Sequence, residues 1–238
     1  MRSPLLSSKK ATCLHDLRQR ILSLDIPPGS DLDEPTLTDM YGISRTPLRE
    51  VLQRLAGDGY IRITENRGAK VSSMDLTTMR TFFQTAPLIY ATVARLAAEN
   101  RQDAQLDVLR EVQTTFADAT RRANAEAAAL ANHRFHAAIG EMAANPYLTP
   151  ALNRLLIDHT RMSQTFYRPS SDQERALVET ACEQHEAMIA AIAVQEPARA
   201  VDLTLQHWDL SRDQMERFVR PDPLPLELPD AKDRAHAL

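Results

Sequence analysis

The chain has 238 residues and a formal net charge of −4, which is enough for one large or two modest domains. No apolar run is long enough to span a bilayer, and the start lacks a secretion signal, so we expect a cytoplasmic protein without membrane contact. Residues 1–72 hold 11 Lys and Arg against 9 Asp and Glu, whereas residues 73–238 hold 17 against 23. A basic N-terminal part and an acidic C-terminal part suit a chain with one nucleic-acid-binding face.

The two cysteines, Cys13 and Cys182, are far apart in the sequence. They are too few for a disulfide framework or a four-cysteine zinc site, and they fit a reducing compartment.

Residues 1–10 are expected to be disordered, because Ser, Pro and Lys dominate them. A first helix is predicted at 11–24, where apolar residues recur on one face. The prolines and glycine of IPPGS (26–30) must end that helix. A short helix follows, with Asp33 as the expected N-cap and Gly42 as the expected C-terminal glycine.

The stretch ISRTPLREVLQRL (43–55) predicts the next helix, with Ser44 as its N-cap. One face repeats apolar residues at helical spacing and is expected to be buried: Leu48, Val51, Leu52 and Leu55. The opposite face carries donors and a hydroxyl that can bind base edges and phosphates: Arg45, Thr46 and Arg49. This pattern predicts a recognition helix.

A turn signal at 57–60 precedes an alternating stretch, 60–64, that predicts a strand. Residues 65–68 predict a tight turn, and 69–72 predict the returning strand. Three helices followed by a β-hairpin are the order of a winged helix-turn-helix domain.

The phrases PPGSDLDEPTLTDMYGISRTPLREVLQRLAGDGYI and NRGAKV make residues 14–72 resemble the DNA-binding domain of GntR-family bacterial transcription regulators. The resemblance implies a domain at 11–73 that binds double-stranded DNA, in which Ser44, Arg45, Thr46 and Arg49 make contacts. Pro35 stands where one branch of the family has a DNA-contacting arginine, so that contact is expected to be absent. A module of this shape that binds protein is the alternative.

Arg67 and Gly68 lie at the tip of the predicted wing. Glycine allows close approach to the minor groove, and Arg67 is a candidate to enter it. A solvated loop charge is the alternative for Arg67.

Residues 74–220 predict helices and no strand, with Asn145-Pro146, Arg168-Pro169 and Glu196-Pro197 as breaks. The expected helices are 76–99, 103–122, 124–143, 147–168, 171–194 and 197–218. The predicted fold is therefore mainly α, with a winged helix-turn-helix domain before an antiparallel bundle of six to seven helices. Residues 221–238, with four prolines, are expected to form a flexible tail.

Three histidines and an asparagine have a suggestive spacing in the predicted bundle. Asn132 and His136 are four residues apart and share one helix face. His185 and His207 flank the corner at Pro197 about equally, so antiparallel packing brings them level. Neutral imidazoles suit zinc or nickel. Three unrelated histidines are the alternative, and spacing alone favours it.

The segments NHRFHAAIGEMAANPYL, EQHEAMIAAI and QHW resemble the FadR-type C-terminal (FCD) ligand-binding domain, the partner of one GntR branch. The resemblance implies a divalent metal held by Asn132, His136, His185 and His207, with a small-molecule effector, commonly an organic acid, beside it. Asn132 replaces the more usual aspartate, so weaker metal binding is expected.

Family members often hold the effector's carboxylate with an arginine, and Ala86 stands at that position here. Either the effector is not the usual hydroxy- or dicarboxylate, or another cation holds it; Arg161 and Arg134 are the candidates, although Arg134 should point away from Asn132 and His136. The residues predicted to line the effector pocket are Tyr90, Arg161, Gln164 and Tyr167.

The predicted function is that of a homodimeric transcription regulator, most simply a repressor, that binds a palindromic operator and responds to an effector. The alternative is a metal-dependent enzyme that uses the histidine cluster, with the DNA-binding domain as an accessory. Such an enzyme would need Glu141, Glu183 or Glu186 directed at a metal-bound water, and helix phase does not require this.

Overall fold

The computed structural model describes residues 4–64 and 68–219, which contain nine helices and three short strands. The N-terminal unit consists of α1 (Pro4–Leu22), β1 (Asp31–Leu32), α2 (Glu34–Tyr41), α3 (Arg45–Asp58), β2 (Ile61–Thr64) and β3 (Gly68–Val71). The C-terminal unit consists of α4 (Leu76–Asn100), α5 (Asp103–Arg121), α6 (Ala125–Met142), α7 (Leu148–Phe166), α8 (Asp172–Ala193) and α9 (Pro197–Val219). The predicted mainly-α class is confirmed.

Helix α1 begins at Pro4, so residues 4–10 are helical where disorder was expected. Proline is tolerated in the first turn of a helix, because the N–H that it lacks would have no partner there. The Ser and Lys residues that suggested disorder do not prevent a helix. The predicted tail, residues 221–238, lies outside the described residues.

The two ends of α2 are set by the residues that the sequence indicated. The Asp33 carboxylate accepts the backbone N–H of Thr36 at 2.9 Å, which caps the first turn. Gly42 ends the helix with φ of 57°, a left-handed conformation that glycine adopts at little cost. The short turn that follows connects α2 to α3, and the two helices are in contact.

A three-stranded antiparallel sheet follows α3, in the order β1-β3-β2. Ile61 pairs with Val71, and Thr64 pairs with Gly68. The short strand β1 joins the other edge of β3 and was not predicted, because two residues cannot show an alternating pattern.

The six helices of the C-terminal unit form the predicted bundle, in which α4 packs on α9 and α6 packs on α5 and α7. Gly140 allows α6 and α7 to approach closely, since a Cβ at this position would lie 2.4 Å from Cδ2 of Leu152. No helix among the described residues is both long and apolar enough to cross a membrane.

Helix α7 joins the two units. Its Ile157 is 1% exposed and belongs to the apolar core of the N-terminal unit. Arg161, which is fully buried, donates from Nη1 to the Ser72 carbonyl at 2.8 Å and forms an ion pair with Asp158. Gln164 donates from Nε2 to the Leu22 carbonyl at 3.3 Å. One helix of the bundle therefore completes the core of the N-terminal unit and binds its backbone.

Candidate functional site

The exposed face of α3 carries the residues predicted to contact DNA. Its apolar stripe is buried, which leaves Ser44, Arg45, Thr46 and Arg49 exposed at the N-terminal end of the helix. Ser44 occupies the N-cap position without a side-chain capping bond, so its hydroxyl is available to a phosphate. The positive end of the helix dipole favours an anion at the same place.

Arg49 is held in an exposed ion pair. Its Nε lies 3.2 Å from Oε2 of Glu34, and its side chain is 65% exposed. Exposed pairs of this kind are worth about 0–1 kcal/mol, so DNA can displace the carboxylate at small cost.

At the wing, Gly68 is exposed and opens β3 with φ of 79°. This left-handed conformation explains a glycine at the end of the hairpin turn. Arg67 lies outside the described residues, so its role in the minor groove stays a prediction.

Helices α6, α8 and α9 bring His136, His185 and His207 together in the centre of the bundle. All three side chains are buried, and one nitrogen from each lies within 4.8 Å of the others. The Nε2 atoms of His185 and His207 are 3.3 Å apart. Asn132, also buried, precedes His136 by one turn of α6.

Two glutamines contact two of the three imidazoles. Gln113 donates from Nε2 to the Cys182 carbonyl, so its Oε1 is the acceptor that faces Nδ1 of His185 at 2.9 Å. Gln184 places Oε1 at 3.1 Å from Nδ1 of His207. A neutral imidazole that carries its proton on Nδ1 has an unprotonated Nε2, which is the form that binds a metal.

The surroundings of the cluster keep the imidazoles neutral at pH 7. Burial lowers the pKa of His207 to about 4. Burial also lowers the pKa values of His136 and His185 well below the ordinary value, and the neighbouring imidazoles lower them further.

The cluster fits a divalent metal. Oδ1 of Asn132 and Nε2 of His136 are buried and make no hydrogen bond within the described residues, which is costly unless another group binds them. Two nitrogens bound to tetrahedral zinc at about 2.0 Å are about 3.3 Å apart, and the Nε2 atoms of His185 and His207 have this separation.

Beside the cluster, the sequence analysis indicated Tyr90 but missed His159, Thr204 and Trp208. Tyr90 Oη lies 2.6 Å from Nδ1 of His159, and the His159 ring centroid lies 5.6 Å from that of His136. Tyr90, His159 and two histidines of the cluster, His136 and His207, line one cavity of about 10 Å³. None of the residues that line it is a lysine or an arginine: Tyr90, His136, His159, Thr204, His207 and Trp208.

The sequence did contain a signal that could have indicated His159, because five of the seven histidines fall between 133 and 207. No comparable signal indicated Gln113, because glutamines are common on helices and their contacts depend on how the helices pack.

Three of the four candidate effector-pocket residues do not line the cavity beside the histidines. Arg161 and Gln164 face the N-terminal unit, because residues two and five positions after His159 point away from it on a helix of 3.6 residues per turn. Tyr167 packs against Phe116 and Phe166. Of the four, Tyr90 alone lines the cavity beside the histidines.

The carboxylates that an enzyme would need are on the surface. Glu141, Glu183 and Glu186 are all exposed, whereas the histidine cluster is buried. None of these three side chains provides a base for a metal-bound water.

Comparison with known proteins agrees with this architecture. The family model of the FCD domain matches residues 84–210, which is more than half of the chain. The model named "Bacterial regulatory proteins, gntR family" matches residues 10–71. The chain belongs to the GntR family. It is a member of a family of transcription regulators, with a GntR DNA-binding domain followed by an FCD domain.

Curated relatives match over part of their length. The Nta operon transcriptional regulator of Aminobacter aminovorans is 30% identical over 90 residues, which cover 38% of this chain and 43% of that protein. The fatty acid metabolism regulator protein of Cronobacter sakazakii is 41% identical over 93 residues, which cover 38% of this chain and 35% of that protein. The chain thus matches less than half the length of these relatives.

Solved GntR structures share the fold. Escherichia coli McbR/YncC superposes with a TM-score of 0.75 at 18% identity and covers 92% of this chain and 100% of its own. A GntR transcriptional regulator from Rhodococcus sp. RHA1 gives a TM-score of 0.67 at 18% identity and covers 90% of this chain and 100% of its own.

Proposed function

We propose that this GntR-family protein is a homodimeric repressor whose affinity for a palindromic operator is controlled by a small organic acid bound at a metal in the bundle. The observation that carries the proposal is the position of α7. This helix contributes His159 to the cavity beside the histidine cluster, and it contributes Arg161 and Gln164 to the contact with the DNA-binding unit. A shift of α7 would therefore change both the cavity beside the histidines and the contact with the DNA-binding unit.

In this proposal, α3 of each protomer enters the major groove, with Arg45 and Arg49 on base edges and Ser44 and Thr46 on phosphates. Arg67 and Gly68 of the wing approach the minor groove. Two protomers place two such helices on half-sites about one helical turn, or 34 Å, apart. Since the operator is chromosomal DNA, the protein acts in the bacterial cytoplasm.

Zinc or nickel would be held by Asn132, His136, His185 and His207, and the spacing of the nitrogens favours zinc. The ion would supply the positive charge that the cavity lacks, because no lysine or arginine lines it. Ala86, at the position where family members often have an arginine, is buried. The effector's carboxylate would then bind the metal, and its other polar groups would bind Tyr90 and Thr204.

The size of the cavity explains how such an effector could act. About 10 Å³ holds one water molecule at most. An organic acid can enter only if the elements around the cavity move, and these include α4, α7 and α9. The effector therefore binds the open state more tightly than the closed one, which is the difference in affinity that a switch requires.

The DNA-binding part of the proposal is tested by a mobility shift with the protein's own upstream region. The wild type should give a saturable shift at moderate salt, and the double substitution Arg45→Ala with Arg49→Ala should abolish it. Loss of two base-contacting arginines should weaken binding at least about 100-fold, at roughly 1–3 kcal/mol each. The matched control is Arg110→Ala with Arg121→Ala on the surface of α5. An equal shift from both double variants would reject the proposal.

The effector is sought by thermal shift of the zinc-loaded protein against small organic acids. A ligand at 100 times its dissociation constant should add about 2.7 kcal/mol to the free energy of unfolding. The same ligand should change the operator dissociation constant of the wild type. A ligand that stabilises the protein equally after zinc removal would contradict binding at the metal.

A further inference from the structure

A separate cleft of about 930 Å³ lies between the two units. One wall comes from α1, α3 and the residues that follow α3, and the other comes from α6, α7 and the turn between them. Its lining is Arg18, Arg54, Gly57, Asp58, Tyr60, His133, Ala144, Asn145, Pro146, Thr149, Pro150, Asn153 and Arg154. It shares no residue with the cavity beside the histidine cluster. Its volume is in the range of small-molecule sites, which are frequent between domains.

Three arginines from three helices converge on this cleft: Arg18 of α1, Arg54 of α3 and Arg154 of α7. Arg54 is exposed and has no ion-pair partner in the described part of the chain. The Nε of Arg18 is buried and makes no hydrogen bond within the same residues. Each guanidinium has five N–H groups, so the cleft holds many donors without acceptors.

The acids nearby only partly balance these charges. Asp58 pairs with Arg18, and Asp158, just behind the wall, pairs with Arg154 at 3.0 Å. The cleft therefore keeps an excess of positive charge at Arg54, together with spare donors on Arg18 and Arg154.

We propose that this cleft binds a small molecule with at least two anionic groups, phosphate or carboxylate. Guanidinium groups bind both oxyanions through paired N–H donors. Two anionic groups are required because the arginines come from opposite walls. On the facing wall, Asn145, Thr149 and Asn153 would bind the neutral polar groups of the ligand.

Such a ligand would join the C-terminal end of α3 to α7, because Arg54 and Arg154 belong to these two helices. Binding would fix the orientation of the recognition helix relative to the bundle. The cleft would then be a second regulatory input that needs neither the metal nor the organic acid.

The test is calorimetric titration of the metal-free, DNA-free full chain with pyrophosphate and with citrate, at ionic strength held constant with NaCl. At least one of them should bind saturably, with a dissociation constant below about 1 mM, equivalent to −4.1 kcal/mol. Pyrophosphate alone would identify a phosphorylated ligand, and citrate alone a polycarboxylate. Absence of saturable binding by both anions would overturn the proposal.

Substitution of Arg54 separates a specific site from general attraction to a cationic surface. Arg54→Gln should weaken anion binding about tenfold or more, since a charge-assisted hydrogen bond is worth about 1.5–3 kcal/mol, and Arg54→Glu should abolish it. Arg54 is exposed, so neither change should affect folding. The matched control is Arg122→Gln, at another exposed arginine without an ion pair among the described residues. Equal weakening by Arg54→Gln and Arg122→Gln would also overturn the proposal.

Discussion

At the scale of single residues, Asn132 has the largest chemical consequence. Its buried Oδ1 lacks a hydrogen-bond partner within the described residues, and it precedes His136 by one helical turn. An amide oxygen is a neutral and weak ligand, so at the proposed metal site Asn132 would lower metal affinity but avoid the cost of a buried charge.

Replacing Asn132 with aspartate should therefore have opposite effects with and without metal. The metal-free Asn132→Asp variant should be less stable by up to about 3 kcal/mol, because it buries an unpaired carboxylate. Its affinity for zinc should rise about tenfold or more, equivalent to about 1.4 kcal/mol. Chemical unfolding and competition with a chelator measure the two quantities. Unchanged zinc affinity would show that residue 132 does not contact the ion.

Glu34 forms an ion pair with Arg49 in the free protein. Glu34→Gln should free the guanidinium and remove a negative charge from the DNA-facing surface, which should strengthen operator binding. The expected gain is about two- to fivefold, the range of an exposed ion pair, and fluorescence anisotropy with a labelled operator measures it. Asp107→Asn on α5 removes an equal charge from the bundle and should leave affinity unchanged. Weaker binding by Glu34→Gln would mean that the pair positions Arg49 for DNA.

At the scale of elements, α7 lines the cavity beside the histidines with one face and contacts the N-terminal unit with the opposite face, and we propose that it couples the two. Gln164 is well suited to test this coupling because its Nε2 binds the Leu22 carbonyl while its Oε1 is buried without a partner in the described residues. Gln164→Leu removes one hydrogen bond, worth about 1 kcal/mol, and one unsatisfied oxygen, so stability should change little.

The same variant should reduce the factor by which the effector changes the operator dissociation constant. Met162→Leu, a buried change on the bundle side of α7, is the control and should preserve that factor. If Gln164→Leu retains the full factor, the signal reaches the DNA-binding unit by another route.

The helices of the bundle were predictable because Asn145-Pro146, Pro169 and Pro197 interrupt otherwise continuous helical patterns. The ends of α4 to α9 lie within two residues of the expected ones. The sequence could not show which face of each helix points into the bundle, because that rotation about the helix axis is set by how the helices pack. For that reason Arg161 was predicted to line the effector pocket, whereas the structure directs Arg161 to the N-terminal unit and His159, two residues earlier, to the cavity beside the histidine cluster.

At the scale of the whole molecule, the two units share buried apolar surface through Ile157. We expect the wild type to unfold in one thermal transition, because the core of the N-terminal unit is incomplete without α7. Ile157→Asp should split scanning calorimetry into two transitions, with the N-terminal unit melting first. Ile157→Val removes one methylene and should cost about 1 kcal/mol while keeping a single transition. Two transitions in the wild type would show that the units are independent.

The small cavity beside the histidines also has a kinetic consequence. Since about 10 Å³ cannot admit an organic acid, effector association must wait for the bundle to open. The observed association rate should level off at high effector concentration, at the rate of opening. Release must pass through the same open state, so a bound effector would stay longer than its few polar contacts alone would allow. The protein would then respond to sustained changes in effector concentration but not to brief ones.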